Sequence, residues 1–125
     1  MFKKYNANPT GRQTNDCTIR AIATAMGKSW RGIYSGVTEI GYEMYSMPSD
    51  NAIWGTFLRR EGFRRYVIPN TCPDCYTIRD FCAEHPYGTY LLATGTHLVC
   101  VIDGDYYDTW DSGSELPIYY WTKEA

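Results

Sequence analysis

The chain has 125 residues, with 12 Lys and Arg, 14 Asp and Glu, and a formal net charge of −2. Hydrophobic residues make up 44% of the sequence and charged residues 21%, which excludes a wholly disordered chain. The charge balance argues against a general nucleic-acid-binding protein, and no apolar run is long enough for a transmembrane helix. The basic start lacks the apolar stretch of a secretory signal, so we expect a cytoplasmic protein.

The length fits one domain, residues 1–125, and neither a repeat nor a linker divides it. Residues 1–16 carry the turn signals of a loop, and helices are predicted over 16–26, 30–41, 50–60 and 78–84. Strands are predicted over 63–68, 88–94, 97–102, 105–110 and 117–122, with Asp103-Gly104 as a hairpin turn. Helices therefore dominate the N-terminal half and an antiparallel sheet the C-terminal half, which is typical of an α+β fold.

Cys17 is the first candidate for a reactive residue. It falls in the first turn of the first predicted helix, which Thr14 or Asn15 is expected to cap. The free amides and the dipole at a helix N-terminus stabilise a thiolate and thereby lower the pKa of a thiol. The alternative role for this residue is that of a small packed hydrophobic side chain.

His97 and Asp108 are predicted to share one face of the hairpin that follows. Residues paired across a hairpin with an even-numbered loop have position numbers with an odd sum, as 97 and 108 do. Tyr106 has the same parity and is a candidate wall of the site, contacting substrate, although packing in the core is the favoured alternative for this residue. Because a cysteine nucleophile needs a histidine base and the base needs an orienting carboxylate, Cys17, His97 and Asp108 form a candidate catalytic triad.

These segments resemble those of papain-like cysteine peptidases. NDCTIRAIATA is similar to the cysteine helix of the peptidases that process double-glycine bacteriocin leaders, and GTHLVCVIDGDYYDTWDSG is similar to their His and Asp strands. The same stretches resemble small papain-like proteins of phages and Firmicutes, and this resemblance implies a cytoplasmic protein of a bacterial cell or a phage-infected host. The resemblance implies a papain-like fold, with the Cys-bearing helix packed on the sheet, and a cysteine peptidase or amidase that needs no cofactor. It implies Cys17 as nucleophile, His97 as general base and Asp108 as orienting group, acting on a peptide or isopeptide bond of a peptide or protein substrate.

Two positions depart from that family's pattern. The family carries an oxyanion-hole Gln six residues before the cysteine, where this chain has Gly11, and a Gly directly after it, where this chain has Thr18. We therefore expect Gln13 or Asn15 to join the Cys17 amide in binding an oxyanion. Asn15 is also a candidate contact for substrate.

Charged residues give two weaker indications. Arg20 lies on the Cys17 side of the first helix and is expected either to bind a substrate carboxylate or to pair with an internal Asp. The run over 59–65, RREGFRR, forms a local basic patch. Such runs are usually solvated faces and only weakly indicate an anionic partner.

A second cluster favours a different function. Cys72, Cys75, Cys82 and His85 follow the pattern C-x2-C-x6-C-x2-H, which is compatible with tetrahedral zinc. The five cysteines are otherwise expected to be reduced thiols, because their number is odd and the signal peptide of a secreted protein is lacking. The alternative to an enzyme is therefore a non-catalytic binding module, held together by zinc, that engages a host or cellular protein.

Overall fold

The computed structural model describes residues 1–123. In this part of the chain, four helices and six strands follow one another along the sequence: β1 (Phe2–Lys4), α1 (Cys17–Met26), α2 (Trp30–Glu43), α3 (Asn51–Arg60), β2 (Phe63–Val67), α4 (Ile78–Glu84), β3 (Thr89–Ala93), β4 (Leu98–Ile102), β5 (Asp105–Asp108) and β6 (Tyr119–Lys123). The α+β class is confirmed. None of these helices combines the length and the apolar character needed to cross a bilayer.

The strands form one mixed sheet in the order β1-β5-β4-β3-β6-β2. β1 pairs in parallel with β5, and the other four pairings are antiparallel. The predictions of a loop at the N-terminus and of a wholly antiparallel sheet are therefore wrong. Three residues are too few to show a strand period, and β1 forms because Met1 and Tyr5 exchange backbone hydrogen bonds with the β5 strand.

The two faces of the sheet bury different hydrophobic clusters. Side chains of β3 and β4 alternate, so that Leu91 and Cys100 pack with α1, α2 and α3, whereas Leu92 and Val101 pack with α4. α1 lies against β4, β3 and β5. The start of α1 is thereby brought to the end of the sheet where β4 begins and β5 ends.

α1 begins one residue later than predicted and without the predicted cap. Asp16 is the N-cap residue, and its side chain makes no capping hydrogen bond. Its carboxylate instead accepts from Trp30 Nε1 at 2.9 Å and lies 3.3 Å from Arg20 Nε. The helix ends at Gly27, whose φ of 62° is the left-handed conformation that glycine adopts readily.

Candidate active site

Cys17 stands at the start of α1 with its side chain only partly exposed. The preceding Asp16 is 5% exposed, and its contacts with Trp30 and Arg20 fix the chain just before the helix. Amides in the first turn of a helix have no partner within it, so the Cys17 N–H is available to a ligand. The Cys17 thiol and the unpaired amides of the first helical turn therefore lie side by side at the start of α1.

His97 directly precedes β4, where a tight turn holds its backbone. Its amide donates to Thr94 Oγ1 at 3.0 Å, and its carbonyl accepts from the Thr94 amide at 2.9 Å. The indole of Trp110 lies over the imidazole, with ring centroids 5.3 Å apart. The side chain is 11% exposed, so the ring is shielded on most sides.

Asp108 ends β5 and is hydrogen-bonded to His97. The His97 Nε2 to Asp108 Oδ2 distance is 2.6 Å. The same oxygen accepts from Ser112 Oγ at 2.7 Å, and Oδ1 accepts from the Thr109 amide at 2.8 Å. Since Nε2 is engaged by Asp108, Nδ1 is the ring nitrogen left for Cys17.

Cys17, His97 and Asp108 form an array whose charges favour an ion pair between Cys17 and His97. Burial alone raises the pKa of Cys17, but hydrogen bonds from His97 and the Leu98 amide, together with the positive charges of His97 and Arg20, bring it below its usual value. Burial alone lowers the pKa of His97, but hydrogen bonds to Asp108 and Cys17 raise it to about 9. The arrangement therefore favours a Cys17 thiolate beside a His97 imidazolium at neutral pH.

Asp108 is the second anion, beside the Cys17 thiolate. Burial acts to raise the pKa of its carboxyl, but the hydrogen bonds from His97 and Ser112 outweigh it and hold that pKa below the usual value. A carboxylate in this position keeps the imidazole oriented and favours its protonated form.

A cleft of about 510 Å³ opens beside the thiol. Cys17 and His97 lie on its wall with the aromatic rings of Trp54, Trp110 and Tyr119. A volume of this order accommodates a few residues of a peptide or a small organic ligand. The lining combines aromatic surface with hydroxyl and amide groups, which suits an uncharged polypeptide backbone.

Gln13 and Asn15 both line this cleft and both have exposed side chains. Each is therefore placed where it can reach a carbonyl oxygen bound near the Cys17 amide. The structure leaves both as candidates for the second oxyanion donor. Thr18 also lies on the cleft wall, at the position that follows the thiol.

Arg20 follows the second of its two predicted roles. Its Nε lies 3.3 Å from Asp16 Oδ1, and its side chain is 14% exposed. It reaches the cleft wall, but its charge is largely matched by Asp16. Binding of a substrate carboxylate at this residue is therefore disfavoured.

Tyr106 does not line the cleft. It is 2% exposed, packs in the cluster beneath α4, and donates its hydroxyl hydrogen bond to Asp111. The parity argument holds for His97 and Asp108 but not for Tyr106 as a wall of the cleft, because Tyr106 lies further along the hairpin, towards its turn. The register pairs Val101 with Tyr106, so His97 and Asp108 are diagonal neighbours.

The cysteine and histidine pattern of a zinc site does not assemble. Cys72 and Cys75 form a disulfide, which corrects the expectation that all five cysteines are reduced. Cys82 is buried, and His85 Nδ1 is 2.8 Å from the Phe81 carbonyl oxygen. Within residues 1–123, no three His, Cys, Asp or Glu side chains are grouped as metal ligands.

Sequence reasoning missed the role of Ser112 and the contact of Trp110 with His97. Ser112 is fully buried and bonded to Asp108, yet the sequence indicates only a turn at 111–113. Trp110 covers His97 because β5 ends at Asp108 instead of continuing to 110 as predicted. No periodic signal marks either residue, since both lie in an irregular loop.

The chain matches no protein-family model, no curated protein and no solved structure. The functional argument therefore depends on the geometry of the cleft.

Proposed function

We propose that this protein is a papain-like cysteine hydrolase that cleaves an amide bond of a peptide or protein. The observation that carries the proposal is the chain of hydrogen bonds from Cys17 through His97 to Asp108, in which Cys17 and His97 line a peptide-sized cleft. A nucleophile, a base and an orienting carboxylate in this order meet the requirements of acyl transfer through a covalent intermediate.

In the first half of the reaction, the Cys17 thiolate attacks the carbonyl carbon and forms a C–S bond. The carbonyl oxygen becomes an oxyanion, which the Cys17 amide and either Gln13 or Asn15 bind. His97 then gives its Nδ1 proton to the leaving nitrogen, the C–N bond breaks, and a thioester remains on Cys17. Asp108 keeps the imidazole oriented throughout.

In the second half, water attacks the thioester carbon while His97 accepts the proton that the water loses. The C–S bond breaks, a carboxylic acid leaves, and the proton returns the pair to a thiolate and an imidazolium. The cleft beside Cys17 has room for this water once the amine has left.

The first test is the pH dependence of iodoacetamide labelling at each cysteine, read by peptide mass spectrometry. An ordinary thiol has a pKa of about 8.5, and we expect Cys17 to be labelled at a pH well below that value. His97→Ala should abolish the labelling of Cys17 at low pH. His85→Ala is the matched control, because the other histidine lies on the α4 face. Burial raises the pKa of Cys82 to about 11 and of Cys100 to about 12, so both serve as unreactive references in the same sample.

Turnover is then tested with p-nitrophenyl acetate. We expect a burst of nitrophenolate equal to the amount of protein, together with an acetyl group on Cys17. If Cys17 labels like an ordinary thiol in the wild type and in His97→Ala alike, the hydrolase proposal fails. The same conclusion follows if the burst persists in Cys17→Ala.

A further inference from the structure

β2 is the last strand of the sheet and carries an unusual concentration of positive charge. Arg65 lies on β2, Arg59 lies in the last turn of α3, and Lys123 ends the neighbouring β6. Arg64 also lies on β2 but points to the opposite face of the sheet, because successive residues of a strand alternate. Arg59, Arg65 and Lys123 are exposed, and we refer to these three residues as the basic ledge. A shallow groove of about 640 Å³ runs along β2, with Arg59, Arg64 and Arg65 but no carboxylate among its described lining residues.

The cations of the basic ledge rest on aromatic rings. Arg65 lies 4.3 Å from the ring centroid of Tyr119, Arg59 lies 5.1 Å from that of Trp121, and Lys123 lies 5.5 Å from that of Phe63. Contacts of this kind hold a cation in place without neutralising it. The charges are therefore preorganised for an external anion.

Carboxylates of residues 1–123 do not neutralise the basic ledge. None of the ion pairs in this part of the chain includes its three residues, whereas the neighbouring Arg60 lies 3.7 Å from Glu43. Three of the chain's 12 basic residues thus lie together on a protein whose net charge is −2. Because the protein as a whole is acidic, this local positive charge makes the basic ledge a selective site for anions.

The basic ledge continues from the candidate active site. Tyr119 lines the cleft beside Cys17 and also carries Arg65 on its ring. Tyr119 pairs with Ala93 on one side and with Val67 on the other, so the cleft and the end of β2 lie at the same end of the sheet. Three strand spacings separate β4 from β2, which is about 14 Å, or about four residues of extended peptide.

We infer that the basic ledge binds an acidic segment of the polypeptide substrate, about four residues from the bond that Cys17 attacks. The location relative to the scissile bond rests on the proposed function, whereas the binding of acidic peptide does not. A polypeptide is favoured over nucleic acid because the chain as a whole is acidic and would repel a long polyanion beyond the basic ledge.

The test is fluorescence anisotropy with the Cys17→Ala protein, which binds without turnover. The probes are a labelled peptide of alternating Glu and Thr, its counterpart with Gln in place of Glu, and a labelled oligothymidylate. The double variant Arg59→Gln/Arg65→Gln is compared with Lys3→Gln/Lys4→Gln, which removes the same charge from β1 at the opposite edge of the sheet. We expect the first double variant to weaken binding of the acidic peptide about tenfold and the second to leave it unchanged.

Three results would overturn the inference. They are equal affinity for the Glu and Gln peptides, equal losses in the two double variants, and tighter binding of oligothymidylate than of the acidic peptide. Should the arginine variant unfold, the wild-type affinity measured against salt decides, since it must fall with salt for the Glu peptide and stay level for the Gln peptide. Ordinary labelling of Cys17 would refute the hydrolase proposal and leave this binding result standing.

Discussion

Replacement of Asp108 by Asn tests the electrostatics of the array most directly. Asn keeps the shape and a hydrogen-bonding oxygen but removes the negative charge that faces His97 at 2.6 Å. A hydrogen bond to a charged group contributes about 1.5–3 kcal/mol, and 1.36 kcal/mol corresponds to about one pKa unit. We therefore expect the pKa of His97 to fall by about one to two units from its value of about 9.

A lower pKa of His97 is expected to raise the pKa of Cys17. A less basic imidazole is protonated over a narrower range of pH, so it stabilises the thiolate less and the pKa of Cys17 rises. We expect the onset of iodoacetamide labelling at Cys17 in Asp108→Asn to move to higher pH by about one unit. Ultraviolet absorbance of the thiolate, measured over the same range, gives an independent reading of its ionisation.

Asp103→Asn is the matched control. Asp103 is an exposed carboxylate in the turn at the other end of the same hairpin, and its oxygen accepts from the Gly88 amide, a bond that Asn can also make. We expect this variant to label as the wild type does. The reasoning is refuted if Asp108→Asn leaves the labelling onset unchanged, or if Asp103→Asn moves it equally.

Two further predictions concern stability. A Cβ at Gly113 would lie 2.7 Å from Tyr106 Cζ, so Gly113→Ala should destabilise the fold by about 1–3 kcal/mol in urea unfolding, while Gly95→Ala, with open space around it, should have little effect. The pKa of His97 is raised on folding, so its stabilising contribution is complete below about pH 6.5 and disappears as the pH rises through about 9. The difference in free energy of unfolding between wild type and His97→Gln should shrink over that range, and a difference that grows with pH would contradict the ion pair.

Local sequence signals were sufficient to predict most of the helices and strands and to select Cys17, His97 and Asp108 as the site residues. The i, i+3, i+4 pattern of Ile19, Ile22 and Ala23 marks α1, and the ends of that helix follow within one residue. Asp103-Gly104 marks the hairpin, and the hairpin brings His97 and Asp108 together. These features depend on residues that are close together in the sequence, and the repeat of a helix or a strand fixes which of them share a face.

Tertiary structure decided the features that depend on residues outside regular elements. Ser112 reaches Asp108, and Trp110 covers His97, because the chain leaves β5 at Asp108 and folds back in an irregular loop. Tyr106 has the parity of Asp108 but lies nearer the hairpin turn, where α4 packs on β5 and covers it. The pairing of β1 with β5 joins segments a hundred residues apart, and no local pattern encodes so distant a contact.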